Sequence, residues 1–119
     1  MIRELAVNHF SGKNGCRRLN CAQTILQIFK DRFDFITDER ISDFKKMGVG
    51  KAPNGECGMV YAAKFIMQNS GRSDGIAEFE KFFTGIAGSL KCSDINKKKR
   101  EFCTLCVEET AGYLDKIYS

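Results

Sequence analysis

The chain has 119 residues and a mass of 13.4 kDa, with 43% hydrophobic and 29% charged residues, which is the size and balance of one folded domain and excludes a long disordered or fibrous chain. Nineteen Lys and Arg against fifteen Asp and Glu leave a net charge of +4, too small and too interspersed an excess to require nucleic acid as a partner. No apolar run approaches the roughly 18 to 20 residues of a membrane span. The start Met1-Ile2-Arg3-Glu4-Leu5-Ala6 runs into polar Asn8-His9 rather than an apolar signal core, so the expectation is an untargeted, cytoplasmic protein with no membrane contact.

A single proline, Pro53, and apolar residues recurring at spacings of three and four predict an all-α fold, one domain over residues 1–119 with about five helices. Residues 1 to 19 give no clear element. Asn20-Cys21-Ala22-Gln23 reads as a capping box, Asn20 capping and Gln23 reaching back, followed by a buried stripe of Ile25, Leu26, Ile28, Phe29 and Phe33. A second helix should start after Thr37, with Asp38 and Glu39 against the positive end of its dipole, and run to about Met47 before Gly48. The glycine-rich stretch from Gly48 to Gly55 reads as a loop. A third helix is expected from Glu56 to Gln68, apolar on nearly every side and therefore central, ending at Asn69-Ser70-Gly71 in a left-handed cap. Ser73 is expected to cap a fourth, with Ile76, Phe79, Phe82, Phe83 and Ile86 inward. The last should run from Asp94 or Ile95 to Ile117 and bury Phe102, Val107, Tyr113, Leu114 and Ile117.

Six cysteines, about 5% of the chain, carry the chemistry. Without a signal segment, reducing surroundings would keep them as thiols unless they bind metal or do redox work. Cys21 falls on the first turn of its helix and Cys57 on the first turn of another. There the unsatisfied backbone N–H groups favour thiolate over thiol. Cys103 and Cys106 are three apart and share a helix face, but Cys103-Thr104-Leu105-Cys106 matches no familiar motif. Val107 stands where haem attachment requires histidine, no βαβ pattern surrounds the pair, and a zinc ribbon would need a second pair. Cys106 on the apolar side reads best as core, and Cys16 lies in a polar loop.

Asn20-Cys21-Ala22-Gln23, then Gly55-Glu56-Cys57-Gly58, then Gly88-Ser89-Leu90-Lys91-Cys92, and finally Cys103 ahead of an amphipathic tail resemble the CGCAxxGCC family of redox-active proteins. That family has four signature cysteines and a Cys-Gly-Ala-x-x-Gly motif. The resemblance covers about residues 5 to 118 and implies that Cys21, Cys57, Cys92 and Cys103 form one redox site, with Cys16 and Cys106 additional. Met59 stands in place of the motif's alanine and Ala62 in place of its glycine. The resemblance also implies redox activity or cluster binding. A related module resembles part of certain multihaem cytochromes, but no Cys-x-x-Cys-His occurs here, so haem is not expected.

Four thiolates suit an iron–sulfur cluster, tetrahedral zinc without redox activity, or thiol–disulfide exchange without any cofactor. The intervals of 36, 35 and 11 residues match no common ferredoxin spacing, and whether the protein is an enzyme stays open. Its expected partner is another redox protein. The single histidine, His9, reads as a surface residue and excludes histidine-rich metal sites. The Gly48 to Gly58 stretch lacks the Lys-Ser/Thr ending of a P-loop and reads as a turn that delivers Cys57. Lys97-Lys98-Lys99-Arg100 reads as a solvated face.

Overall fold

The computed structural model describes residues 2–12, 15, 19–47, 57–90 and 100–118, with 47 and 100–103 given by backbone alone. These residues form six α-helices and no strand, as the spacing of apolar residues predicts: α1 (Ile2–Ser11), α2 (Cys21–Ile28), α3 (Asp38–Asp43), α4 (Gly58–Asn69), α5 (Ile76–Ala87) and α6 (Arg100–Ile117). None of the described helices is long and apolar enough to cross a membrane. The Cα radius of gyration is 12.8 Å, which fits a single globular domain of this length.

The first helix is the element that sequence periodicity did not resolve. Ile2, Ala6 and Phe10 recur every four residues, but only Ala6 and Phe10 are buried and Leu5 stays 39% exposed, so the apolar stripe is too narrow to announce itself. Among the described residues the broadest helix-to-helix contact is α1 against α6, where Arg3 Nη1 donates to Glu109 Oε1 at 2.8 Å. The pair is solvent-exposed and contributes at most about 1 kcal/mol. The α1–α6 contact therefore rests on its apolar side.

The start of α2 matches the sequence reading in detail. Asn20 Oδ1 accepts from the Gln23 N–H at 2.7 Å, and the Asn20 N–H donates back to Gln23 Oε1 at 3.3 Å. Ala22, Ile25 and Leu26 are fully buried, and α4 is the helix most broadly packed against α2. Thr37 caps α3 through a hydrogen bond from the Arg40 N–H at 3.1 Å. That helix is shorter than expected: after Asp43 the chain tightens into a 3-10 turn, Phe44–Met47. Phe44 is only 5% exposed, and its ring packs 5.4 Å from Tyr61 and 5.3 Å from Phe65 of α4.

Helix α4 begins later than Glu56 because Cys57 is its N-cap, with extended backbone at φ −61° and ψ 135°. Seven of its twelve residues are buried, including Ala62, and it touches α2, α5 and α6, while Gln68 and Asn69 are exposed. It ends as the sequence predicts. Gly71 has φ +80° and the Arg72 N–H donates to the Met67 carbonyl at 2.8 Å, which satisfies a carbonyl the helix leaves open. A Cβ on Gly71 would meet nothing within 4 Å, so Gly71→Ala isolates backbone strain. We expect a loss of about 1–2 kcal/mol in a urea denaturation.

Ser73 does not cap α5. It opens a 3-10 turn, Ser73–Gly75, and Gly75 stands at the N-cap without any side-chain bond. A serine two residues too early leaves a turn of tighter pitch between itself and the helix. Phe79 and Phe83 are buried as expected, with Ile76, Phe82 and Ile86 half-buried. Val107 and Leu114 are fully buried in α6, and Tyr113 and Ile117 are half-buried. The expected start of this helix near Asp94 and the side chain of Phe102 lie outside the described residues.

Candidate thiol redox site

The helix starts of α2 and α4 bring Cys21 and Cys57 together. Cys21 is the first residue of α2 and half-buried, whereas Cys57 is 3% exposed. The two thiols are free and hydrogen-bonded to each other. Sequence placed both sulfurs beside unpaired helix amides, and the structure refines how. No side-chain hydrogen bond caps α4. The N–H groups of Met59 and Val60, which a capping oxygen would ordinarily take, instead favour a thiolate on Cys57. The N–H groups of Ala22, Met59 and Cys21 itself do the same for Cys21. Met59 N–H thus serves both sulfurs.

Two neighbouring sulfurs lose their protons in turn rather than together, because the charge on the first disfavours a charge on the second. The Cys57 thiol donates to Cys21, and this bond, aided by the three backbone amides and opposed by burial, holds Cys21 below the usual cysteine range. Cys57 is pushed far above that range, first by its bond to Cys21, then by burial and by the negative charge on its neighbour. The half-buried sulfur is therefore the first of the two to lose its proton, and the buried sulfur the last.

A third chain segment closes on the pair. Helix α5 ends at Gly88, whose φ of +82° reverses the chain, and the Leu90 carbonyl accepts from the Cys57 N–H at 2.7 Å. Sequence reading singled out Gly88 to Cys92 for its cysteine and missed the carbonyl; the glycine after an apolar helix was the available signal. Cys92 itself lies outside the described residues, as do Cys16 and Lys97 to Lys99. Cys103 lies on α6, described there by its backbone alone. Cys106 is 1% exposed in the hydrophobic core, where its apolar position placed it. His9 is half-buried on α1, and its carbonyl accepts from the Leu19 N–H at 2.9 Å. The Gly48 to Gly55 loop falls outside the described residues.

Among the described residues no group of three or more His, Cys, Asp or Glu side chains is arranged around a common metal position. What the described residues present is two sulfurs at paired helix N-termini with four backbone amides turned toward them. No curated protein and no solved structure matches the chain. A family model does, described as "Putative redox-active protein (C_GCAxxG_C_C)" and matching residues 19–117. By that match, which takes in both Cys21 and Cys57, the chain belongs to the C_GCAxxG_C_C family of redox-active proteins.

Proposed function

We propose that the chain works as a thiol–disulfide redox protein in which Cys21 attacks and Cys57 resolves. The observation that carries this reading is the pair of free thiols brought together at the starts of α2 and α4, the half-buried one favoured as thiolate and the buried one as thiol. The Cys21 thiolate attacks one sulfur of a partner's disulfide, forming a mixed disulfide and releasing the partner's other sulfur as thiolate. Two of the three influences that hold the Cys57 proton then vanish, because a bonded Cys21 sulfur carries no charge and is a poor acceptor. Cys57 loses its proton to the departing thiolate while Met59 and Val60 N–H remain to stabilise the new anion. It attacks Cys21, expelling the partner's second thiolate, which takes a proton from solvent. The protein gains one disulfide and the partner gains two thiols, so atoms and both electrons balance.

The same donor set supports a second reading. Two adjacent thiolates held by backbone amides fit two ligands of an iron–sulfur cluster or of zinc, with Cys92 and Cys103 completing the four that the family resemblance implies. A bound cluster would supply one-electron transfer, and zinc would supply none.

The test is a redox titration of protein purified without oxygen, with iron, sulfide and zinc assayed on the same sample. A colourless two-electron couple that maps to a Cys21–Cys57 disulfide is the expected result. A visible band that bleaches with stoichiometric iron moves the chemistry to a cluster at these residues. Stoichiometric zinc without a couple overturns the redox reading.

A further inference from the structure

Asn20 does more than cap α2. An N-cap asparagine needs its side-chain oxygen alone, and here Oδ1 meets that need at the Gln23 N–H. The amide nitrogen is free for other work, and it donates to the Phe44 carbonyl at 3.3 Å and the Lys45 carbonyl at 3.1 Å, residues 24 and 25 positions further along the chain. Gln23 repeats the pattern: its Oε1 completes the capping box, and its Nε2 donates to the Ile41 carbonyl at 3.1 Å in a buried bond. Thr24 Oγ1 donates to the Asn20 carbonyl at 2.8 Å, fixing the cap residue from a third side.

These bonds reach the second sulfur by a traceable route. Phe44, whose carbonyl Asn20 holds, packs its ring on Tyr61 and Phe65 of α4. Tyr61 N–H donates to the Cys57 carbonyl at 3.0 Å in the first turn of that helix. The contacts therefore form a ring: Cys21 to Asn20 by the chain, Asn20 to Phe44 by hydrogen bond, Phe44 to Tyr61 by ring packing, Tyr61 to Cys57 by hydrogen bond, and Cys57 back to Cys21 through the two sulfurs.

We infer that Asn20 is a positioning residue for the cysteine pair, bracing the start of α2 against the start of α4 through Phe44 and so setting the approach of the two sulfurs. The inference rests on the thiol–disulfide reading above. A brace of this kind acts on the equilibrium between dithiol and disulfide, since a pair held close forms its bond at a smaller entropic cost.

The measurement is the equilibrium constant for the Cys21–Cys57 disulfide of the full chain in glutathione buffers, with thiols trapped by alkylation and the pair assigned by peptide mass. Asn20→Ser keeps a good cap oxygen but removes the long-range donors. Its constant should fall about tenfold, roughly 30 mV for this two-electron couple. Phe44→Leu breaks the same brace from its other side and should shift the constant in the same direction, so it carries the test if the serine variant does not fold. Gly71→Ala, strained and far from these contacts, serves as the stability control and should leave the constant unchanged. An Asn20→Ser constant within twofold of the wild type, or an equal fall in Gly71→Ala, overturns the brace alone. A wild-type chain that forms no Cys21–Cys57 disulfide at any glutathione ratio overturns the thiol–disulfide reading and the brace with it.

Discussion

Cys57→Ala should slow the alkylation of Cys21 several-fold at neutral pH, while Cys57→Ser should leave it near the wild-type rate. The largest influence lowering the Cys21 pKa is the bond from the Cys57 thiol. Alanine removes that donor, and a serine hydroxyl restores one of similar reach. Loss of the donor returns Cys21 toward the usual cysteine range. Each tenfold drop in thiolate fraction is partly offset by a more nucleophilic sulfur, so the rate falls about threefold for each such drop. Rates under metal-free, reducing conditions, read by mass at the Cys21 peptide, decide the matter. Equal rates in all three proteins would show that the amides of Ala22, Met59 and Cys21 suffice by themselves.

The same pair ties stability to pH with a definite sign. From the depressed folded pKa of Cys21 up to the ordinary value near 9.0, the unfolded chain carries a proton at Cys21 that the folded chain has shed, so stability rises with pH. Above that ordinary value the order reverses. Folded Cys57 keeps its proton while unfolded Cys57 loses it, and stability falls. Subtracting the pH profile of a Cys21→Ala, Cys57→Ala double variant from that of the reduced wild type should leave a peak near the ordinary cysteine pKa. A flat difference would mean that the two sulfurs do not lose their protons in turn.

How much of this was legible beforehand depends on how local each feature is. The capping box at Asn20 and Gln23, the left-handed end at Gly71 and the buried faces of Phe79 and Leu114 are set by residues within one or two turns, and they were readable as spacing. The helix-start placement of both sulfurs was readable for the same reason, although Cys57 turned out to be the cap rather than a residue of the first turn. The boundaries that moved were those where a side chain from elsewhere intervenes. Phe44 turns into the core and meets α4, which favours a 3-10 turn over continuation of α3, and no pattern in residues 38 to 47 announces the rings of Tyr61 and Phe65.

Contacts between distant segments were not legible at all. That Leu90 would offer its carbonyl to Cys57, or that the second half of the Asn20 amide would reach Phe44 and Lys45, follows from the packing of α2, α4 and α5 as whole bodies. The proton ordering between Cys21 and Cys57 is of this kind too. Both residues look equivalent in sequence, each a cysteine beside helix amides, and what separates them is burial plus the direction of one hydrogen bond. The difference between these two similar sulfurs is therefore a property of the packed fold, which sequence spacing does not encode.

The second large effect lies in the core, at Phe79. Its side chain is fully buried and its ring stands 6.5 Å from Phe82 and 6.1 Å from Phe83 on α5, and 5.4 Å from Tyr113 on α6. Phe82 stacks on the same tyrosine at 4.5 Å, so one aromatic group joins α5 to α6. Phe79→Ala should cost about 3–5 kcal/mol, the transfer energy of the ring plus the cavity it leaves. A domain of this size has about 5–15 kcal/mol in total, so the urea midpoint should fall by a large fraction of its value. Phe79→Leu, which keeps more of the volume, should cost distinctly less. The loss should also reach the sulfurs, because α5 runs through Gly88 to the Leu90 carbonyl that holds the Cys57 N–H. Hydrogen exchange at the Cys57 amide should therefore quicken in the alanine variant by more than it does at Ile25 in α2. An alanine variant that loses less than about 1.5 kcal/mol would show that α5 is held by its contacts with α4 instead, and unchanged exchange at Cys57 would uncouple the aromatic group from the cysteine pair.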